Sequence, residues 1–508
     1  MRSIIKNILI ILFLFICILI ATSVHWALQN FDFLNFDEIL FQLSTPLQST
    51  ESSILESYAY GGLMTGIIFT LLAFFFLKLA YNYLSAHSTE IDIKLWKKEI
   101  RFTIKNSILR ILLTILAVIV PIILVIYSLN RIEIIDYIQK NYLNNSLDFF
   151  EKNYINPQDV EITFPEKKRN IIYIYAESLE TSFFDKEHGG VNTENAMSPL
   201  EKLTEENTMF SDTDDRGGFY SYTGTNFTTG SLVSQTSGLP LKISPDQILE
   251  TTDKYQELLP GAYTLNDLLT DEGYNQTFIM GSNKAFGSRD IYFKTHGNMK
   301  LFDYYEAIAA GKISKDYNVW WGYEDSKVFE YAKEEATRLA KANKPFNLTL
   351  LTTGTHHPDG FTEKSCSNPF SRHYSNAIYC SAEQINDFVR WAQKQSFYDN
   401  TTIFIVGDHL TYKPQYVENT HRVVYNLIIN SAIEEQHSKN RLFSTMDMFP
   451  TTLAAMGVKI EGNQLGVGVN LYSGKKTFSE KYGIEKYDDI LSYSSKYYLD
   501  NILTTKEG

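Results

Sequence analysis

The chain has 508 residues, 44% hydrophobic and 21% charged, with 27 Gly and 13 Pro. That excludes a disordered or collagen-like polymer and supplies enough apolar material for a large core. Lys and Arg number 46 against 59 Asp and Glu, a formal charge of −13. Nucleic-acid binding needs a basic surface that displaces counterions, so no nucleic-acid partner is expected. Three cysteines are too few for a disulfide framework. With Cys17 inside an apolar run, Cys366 and Cys380 remain as the candidate disulfide, two free thiols being the alternative.

In chain order, the first third reads as a membrane anchor. Ile8 to Val24, Gly61 to Leu77 and Ile111 to Leu129 are apolar runs, the last interrupted only by Pro121. None shows the polar stripe at 3.6-residue spacing of a soluble helix, and each approaches the ~17–25 residues that cross a bilayer. The expected spans are about 8–24, 61–80 and 108–129. Arg2 and Lys6 precede the first run, and 25–60 contains no Lys or Arg. Lys78, Lys94, Lys97, Lys98, Arg101, Lys105 and Arg110 lie between the second and third. Positive charge stays cytoplasmic, so the N-terminus is expected inside and everything beyond about residue 130 outside. Residues 1–24 also fit a cleaved signal peptide with Ala21-Thr22-Ser23 as its small-residue site. Residues 1–130 carry 9 basic and 8 acidic side chains, leaving 37 and 51 for the remainder, a net −14. The expected organisation is an anchor at 1–130, a juxtamembrane linker at 131–167, a catalytic domain at 168–475 and a C-terminal tail at 476–508.

From residue 168 short β-rich runs alternate with helical patterns. Strands are predicted at Ile171–Tyr175, Gln276–Met280, Phe346–Leu351, Thr402–Val406 and Val423–Ile429. Helices are predicted from Ser198-Pro199, over Leu265–Leu269, Ser381–Gln393 and Ser444–Met456. Such alternation implies a mostly parallel sheet flanked by helices, with its site at the carboxyl ends of the strands.

Chemistry gathers at those ends. Glu177 stands two residues beyond the first predicted strand, and Asp408-His409 follow directly on Ile403–Gly407. Two carboxylates and an imidazole suit a divalent metal such as zinc or manganese, although each taken singly also fits a helix cap or a turn. Between them, Gly224-Thr-Asn-Phe-Thr228-Thr-Gly-Ser-Leu-Val-Ser-Gln235 opens a helix with hydroxyl residues. A threonine at a helix N-terminus meets unpaired N–H groups that hold a phosphoryl group, and beside a metal its hydroxyl becomes a nucleophile. Thr355-His356-His357-Pro358 follows the strand Phe346–Leu351 in the same way.

Taken together these segments resemble the alkaline phosphatase/sulfatase superfamily, and within it the phosphoglycerol transferase and lipoteichoic acid synthase family. Asn170–Glu180, Gly224–Leu241, Thr355–Phe361, Val406–His409 and Ser444–Leu453 carry the likeness, which spans roughly residues 168–475. The resemblance implies an alkaline-phosphatase-like α/β fold behind an anchor of about three spans, where the family's transferases have four or five. It implies a metal held by Glu177, Thr228, Asp408 and His409, with Thr228 as nucleophile because it stands twelve residues before Pro240. Manganese is the expected ion, with zinc and magnesium as alternatives. His356 would bind the substrate head group or assist proton transfer, and Arg289 would clamp phosphate, although Gly287-Ser288 stand where an aromatic residue is expected. Trp321-Gly322 with Asp325 also resembles a family segment, with core packing as its plainer role. No Cys/Ser-x-Pro-x-Arg run exists, so a sulfatase nucleophile is not expected. The implied activity moves glycerol phosphate from phosphatidylglycerol to a cell-envelope glycan or a polyglycerolphosphate chain, at the extracytoplasmic face of a bacterial cytoplasmic membrane. The alternatives are phosphoethanolamine transfer and a non-catalytic membrane sensor or scaffold.

Overall fold

A computed structural model describes residues 2–31, 36–44, 52–86, 89–95, 98–104, 106–144, 146–243, 257–412, 415, 417 and 421–504. The chain divides into two compact units, Met1–Phe36 with Thr50–Ile138, and Asp37–Ser49 with Gln139–Gly508. In the first unit three helices, Ile4–Asn30, Ser52–Ala86 and Asn106–Asn130, are long and apolar enough to cross a membrane. Their leucine, isoleucine and phenylalanine side chains are largely exposed, as lipid-facing residues must be. The second helix is longer than the apolar run at its centre. Between the second and third helices Thr89–Leu95 pairs antiparallel with Lys98–Ile104, where the sequence suggested only a basic loop.

The second unit is built on a six-stranded sheet: β1 (Asn170–Ala176), β2 (Asn275–Met280), β3 (Lys300–Phe302), β4 (Phe346–Leu351), β5 (Thr401–Gly407) and β6 (Asn426–Ile429). Their order is β3-β2-β4-β1-β5-β6, and every neighbouring pair is parallel except β5 with β6. β1 reads Asn-Ile-Ile-Tyr-Ile-Tyr-Ala and is buried throughout, as a central strand covered on both faces requires. Its residues alternate between two cores. Ile171, Tyr173 and Tyr175 face one that includes Leu232, Val233, Phe404 and Leu453. Ile172, Ile174 and Ala176 face another with Val328, Phe329, Ile378 and Ile385.

Five helices around the sheet matter for the site. One is α2 (Thr228–Ser237) and another is α3 (Arg289–Thr295). The others are α4 (Asp325–Ala340), α5 (His373–Ala392) and α6 (Met448–Ala455). A further helix, α1 (Phe36–Ser44), comes from between the first two apolar helices, and all of it but Phe36 belongs to the second unit. α4 was not read from the sequence, and α5 begins eight residues earlier than its predicted start. Val423–Ile429 shortens to the antiparallel edge strand β6, because Val423 and Val424 bond instead to Thr181 and Phe219, and Tyr425 divides its bonds between Gly407 and Leu179. Phe149 and Phe150, from the expected linker, lie in the first core. So do Phe478, Tyr487, Leu491, Tyr498 and Ile502, from the expected tail. The linker from Gln139 onward and the tail are therefore counted in the second unit. Cys366 and Cys380 are joined by a disulfide.

Candidate active site

Strand pairing assembles the site. β1 and β5 are neighbours in register, with Ala176 opposite Gly407, so the residues that follow them, Glu177 and Asp408-His409, emerge side by side. One ligand atom from each of these three buried residues lies within 4.8 Å of the others. His409 Nε2 stands 3.4 Å from Glu177 Oε1 and 3.3 Å from Asp408 Oδ2. The imidazole donates from Nδ1 to the Leu410 carbonyl at 2.8 Å, which turns the Nε2 lone pair toward the carboxylates.

Thr228 completes the group. It is the first residue of α2, after Phe227 in extended conformation (φ −141°, ψ 160°). Its hydroxyl donates to Glu177 Oε2 at 3.3 Å and lies 3.4 Å from His409 Nε2. The first amides of a helix have no carbonyl four residues back to bond, so a phosphoryl group placed at Thr228 meets N–H donors and the positive end of the helix dipole.

Backbone contacts hold the ligands in place. The Glu177 amide donates to Thr352 Oγ1 at 3.0 Å and its carbonyl accepts from the Thr355 hydroxyl, so the exit of β4 clamps the exit of β1. Asp408 Oδ1 accepts from the amides of Ser178 (2.7 Å) and His409 (2.8 Å). Its other oxygen, Oδ2, is buried and has no hydrogen-bond partner among the described residues. An unbonded buried carboxylate oxygen is costly. Here it faces a second carboxylate and His409 Nε2, which becomes an acceptor once it gives up its proton, an arrangement that a divalent cation satisfies. Two hard oxygens, one imidazole and a hydroxyl are a donor set suited to manganese or zinc. Titration behaviour expresses the same demand for positive charge. Burial and the Glu177 carboxylate push Asp408 up to about 7. Although burial works against it, Asp408 and Glu177 drive His409 up to about 10. Glu177, despite its own burial, is held well below the usual carboxylate range by His356 and His409.

The other expected residues surround this cluster. His356 is buried, donates from Nδ1 to the His357 carbonyl at 3.0 Å and is lowered by burial against the pull of Glu177. Trp321, held at φ 54°, packs its ring on His356 with centroids 4.0 Å apart. Asp325, at the start of α4, accepts from the amides of Thr353 and Gly354 at 2.8 Å each and so fixes the loop that carries Thr355 and His356. Arg289 is buried at the start of α3. Nε donates to the Phe286 carbonyl (2.9 Å), and Nη2 to Ser282 Oγ (3.1 Å) and the Asn283 carbonyl (2.7 Å). Glu177 and Asp408 are close enough to act on its charge. The expected aromatic before the arginine is precluded locally. Gly287 has φ 63°, and a Cβ there would collide with the hydroxyl of Thr229, which donates to the Gly287 carbonyl at 2.9 Å.

Sequence reasoning missed two groups. Arg422 binds Glu180 through Nε at 2.9 Å and Nη2 at 2.8 Å and also donates to the Thr411 carbonyl at 2.7 Å, bracing the chain just after His409. Tyr412 lays its ring against His409, centroids 5.0 Å apart, and donates to Glu38 of α1 at 2.9 Å. The Asp-His pair four residues upstream was the one available signal for Tyr412; nothing near Glu38 pointed to the site.

Residues 169–458 match the sulfatase family, more than half of the chain. The chain belongs to the sulfatase family. Among curated proteins it is 28% identical over 325 residues to phosphoglycerol transferase I of Escherichia coli O127:H6 (strain E2348/69 / EPEC), covering 62% of this chain and 40% of that relative. The match thus spans well under half the length of the transferase. Among solved structures, an alkaline phosphatase superfamily protein from Vibrio parahaemolyticus is 25% identical with a TM-score of 0.47, over 58% of this chain and 67% of that one. The lipoteichoic acid synthase LtaP from Listeria monocytogenes is 15% identical with a TM-score of 0.49, over 64% and 80%.

Proposed function

We propose that this protein is a membrane-anchored phosphotransferase. It moves glycerol phosphate from phosphatidylglycerol to a cell-envelope glycan or polyglycerolphosphate acceptor, at the outer face of a bacterial cytoplasmic membrane. The observation that carries this reading is the Thr228 hydroxyl, at a helix N-terminus and within 3.4 Å of both Glu177 and His409. The likeness to phosphoglycerol transferase I supports the choice of transferred group, and the absence of basic residues between the first two spans supports the orientation.

Glu177, Thr228, Asp408 and His409 would hold the cation, manganese in the first instance. When bound it supplies Lewis-acid stabilisation of phosphoryl oxygens and acidifies the hydroxyl that it touches. The chain's own residues do the rest. Thr228 Oγ forms a bond to phosphorus, and the bond from phosphorus to the diacylglycerol oxygen breaks. The hydroxyl proton ends on that departing oxygen, with the His356 ring as its carrier. Arg289, rigidly anchored, offsets charge on the transferring group. An acceptor hydroxyl then attacks phosphorus of the glycerophosphothreonine, the bond from phosphorus to Thr228 Oγ breaks, and the acceptor's proton ends on Oγ, restoring the threonine hydroxyl.

Mass spectrometry of the full-length protein incubated with phosphatidylglycerol tests this reading, with a glycerophosphate adduct expected on Thr228. Thr228→Ala is expected to lose ~10³-fold or more in diacylglycerol release, and normal release by that variant refutes the nucleophile. Feeding head-group-labelled phosphatidylglycerol and phosphatidylethanolamine in parallel separates the two possible donors, since only one label reaches acceptor. A metal-free wild type after reconstitution would favour the sensor or scaffold.

A further inference from the structure

The helix α1, from between the first two apolar helices, buries an acid in the catalytic unit. Glu38 is 3% exposed and Phe41, one turn on, 2%. A carboxyl group so deep is unfavourable without a partner. Its Oε1 accepts the Tyr412 hydroxyl at 2.9 Å, and the same hydroxyl lies 3.4 Å from the Asn226 carbonyl. The Tyr412 ring rests on His409, tilted 42° at 5.0 Å, and stands edge-on to His357 at 5.7 Å. Phe41 packs on Phe227 with centroids 5.2 Å apart, and Phe227 directly precedes Thr228. Two successive turns of α1 therefore touch the neighbours of two cation-binding side chains.

The hydrogen bond from His409 Nδ1 to Leu410 selects the tautomer but leaves the imidazole free to rock about that bond. The Tyr412 ring is the lateral stop. We propose that Glu38 is a positioning residue for the metal centre: it holds Tyr412, and Tyr412 holds the His409 ring at the angle that presents Nε2 to the cation. Partners that orient a ligand in this way are commonly worth 10–100-fold in metal affinity. The inference rests on reading Glu177, Thr228, Asp408 and His409 as a metal centre, and is independent of the donor lipid.

The test is calorimetric titration of the full-length, detergent-solubilised, chelator-stripped protein with Mn²⁺ alone. Glu38→Ala and Tyr412→Phe are each expected to weaken binding about tenfold, and the double variant no further, since both act through one contact. Glu38→Gln, whose amide oxygen still accepts from Tyr412, is expected to stay within about threefold of wild type. Wild-type affinity in Glu38→Ala, additive losses in the double variant, or equal losses in Glu38→Gln and Glu38→Ala would each overturn the proposal. Should Glu38→Ala not fold, Tyr412→Phe decides alone, unchanged affinity refuting it. A wild type that binds none of Mn²⁺, Zn²⁺ and Mg²⁺ in the same titration removes the metal centre and this inference with it. Binding without cleavage of phosphatidylglycerol removes only the proposed donor.

Discussion

The Glu180–Arg422 pair allows a quantitative test of how the site is braced. Its two hydrogen bonds are 2.8 and 2.9 Å long, and the side chains are 0% and 7% exposed, so salt screens them little. At an effective dielectric of ~20 the attraction at that separation is about 6 kcal/mol. Desolvating two ions costs several kcal/mol each, so the net contribution of the intact pair is small. Removing one partner is different: Glu180→Leu or Arg422→Met leaves an uncompensated buried charge, at about 3–5 kcal/mol. The double variant removes both charges and is expected to recover most of that loss. Fluorescence-monitored thermal unfolding of the full-length protein is the assay, with turnover measured alongside. Turnover is expected to stay low in the double variant, because Arg422 also holds the Thr411 carbonyl beside His409. Additive stability losses would refute the account.

Other outcomes follow from the same geometry. Gly287→Ala is expected to destabilise by about 1–3 kcal/mol, from positive φ and collision with Thr229, and to lower turnover by displacing Arg289; unfolding and kinetic measurements check both. Glu335, whose burial is outweighed by Arg338, Thr277 and Lys300, titrates at about 2. Its folded value lies below its unfolded one, so its stabilisation is present above pH ~4.3 and fades as pH falls toward 2. Glu335→Gln is therefore expected to cost on the order of 1 kcal/mol at neutral pH, allowing for screening by its exposed cations, with the gap from wild type closing in acid melts. Replacing Cys366 and Cys380 by serine opens a loop of sequence separation 14, for a loss of about 2–4 kcal/mol in unfolding experiments.

Much of the site was legible because its parts sit where strands stop. Ile171–Tyr175 and Ile403–Val406 are continuous apolar runs that only a sheet covered on both faces accommodates, so Glu177 and Asp408-His409 had to emerge at its edge. Thr228 was legible as the start of a helix in a run of small hydroxyl residues. Glu38 was not: Phe36, Ile39, Leu40 and Leu43 are spaced as one face of a short helix, but that spacing does not say where the helix docks, and the meaning of the acid arises from a phenol 374 positions away. Arg422 was hidden likewise, since an ion pair with Glu180 leaves no trace in spacing. β6 was placed correctly but not its direction, because a short apolar run reads alike in either sense, and α4 was passed over although Val328, Ala332, Ala336 and Leu339 give it an apolar stripe.

The pairing of Ala176 with Gly407 has an evolutionary corollary. Side chains on a strand alternate with period two, so deleting one residue from Thr401–Gly407 would reverse the face that Asp408 and His409 present and retract them by about 3.3 Å. Drift in either central strand is thus tolerable only in matched steps, and the hydrogen-bond ladder becomes the ruler against which this centre is kept to length while the surrounding loops diverge.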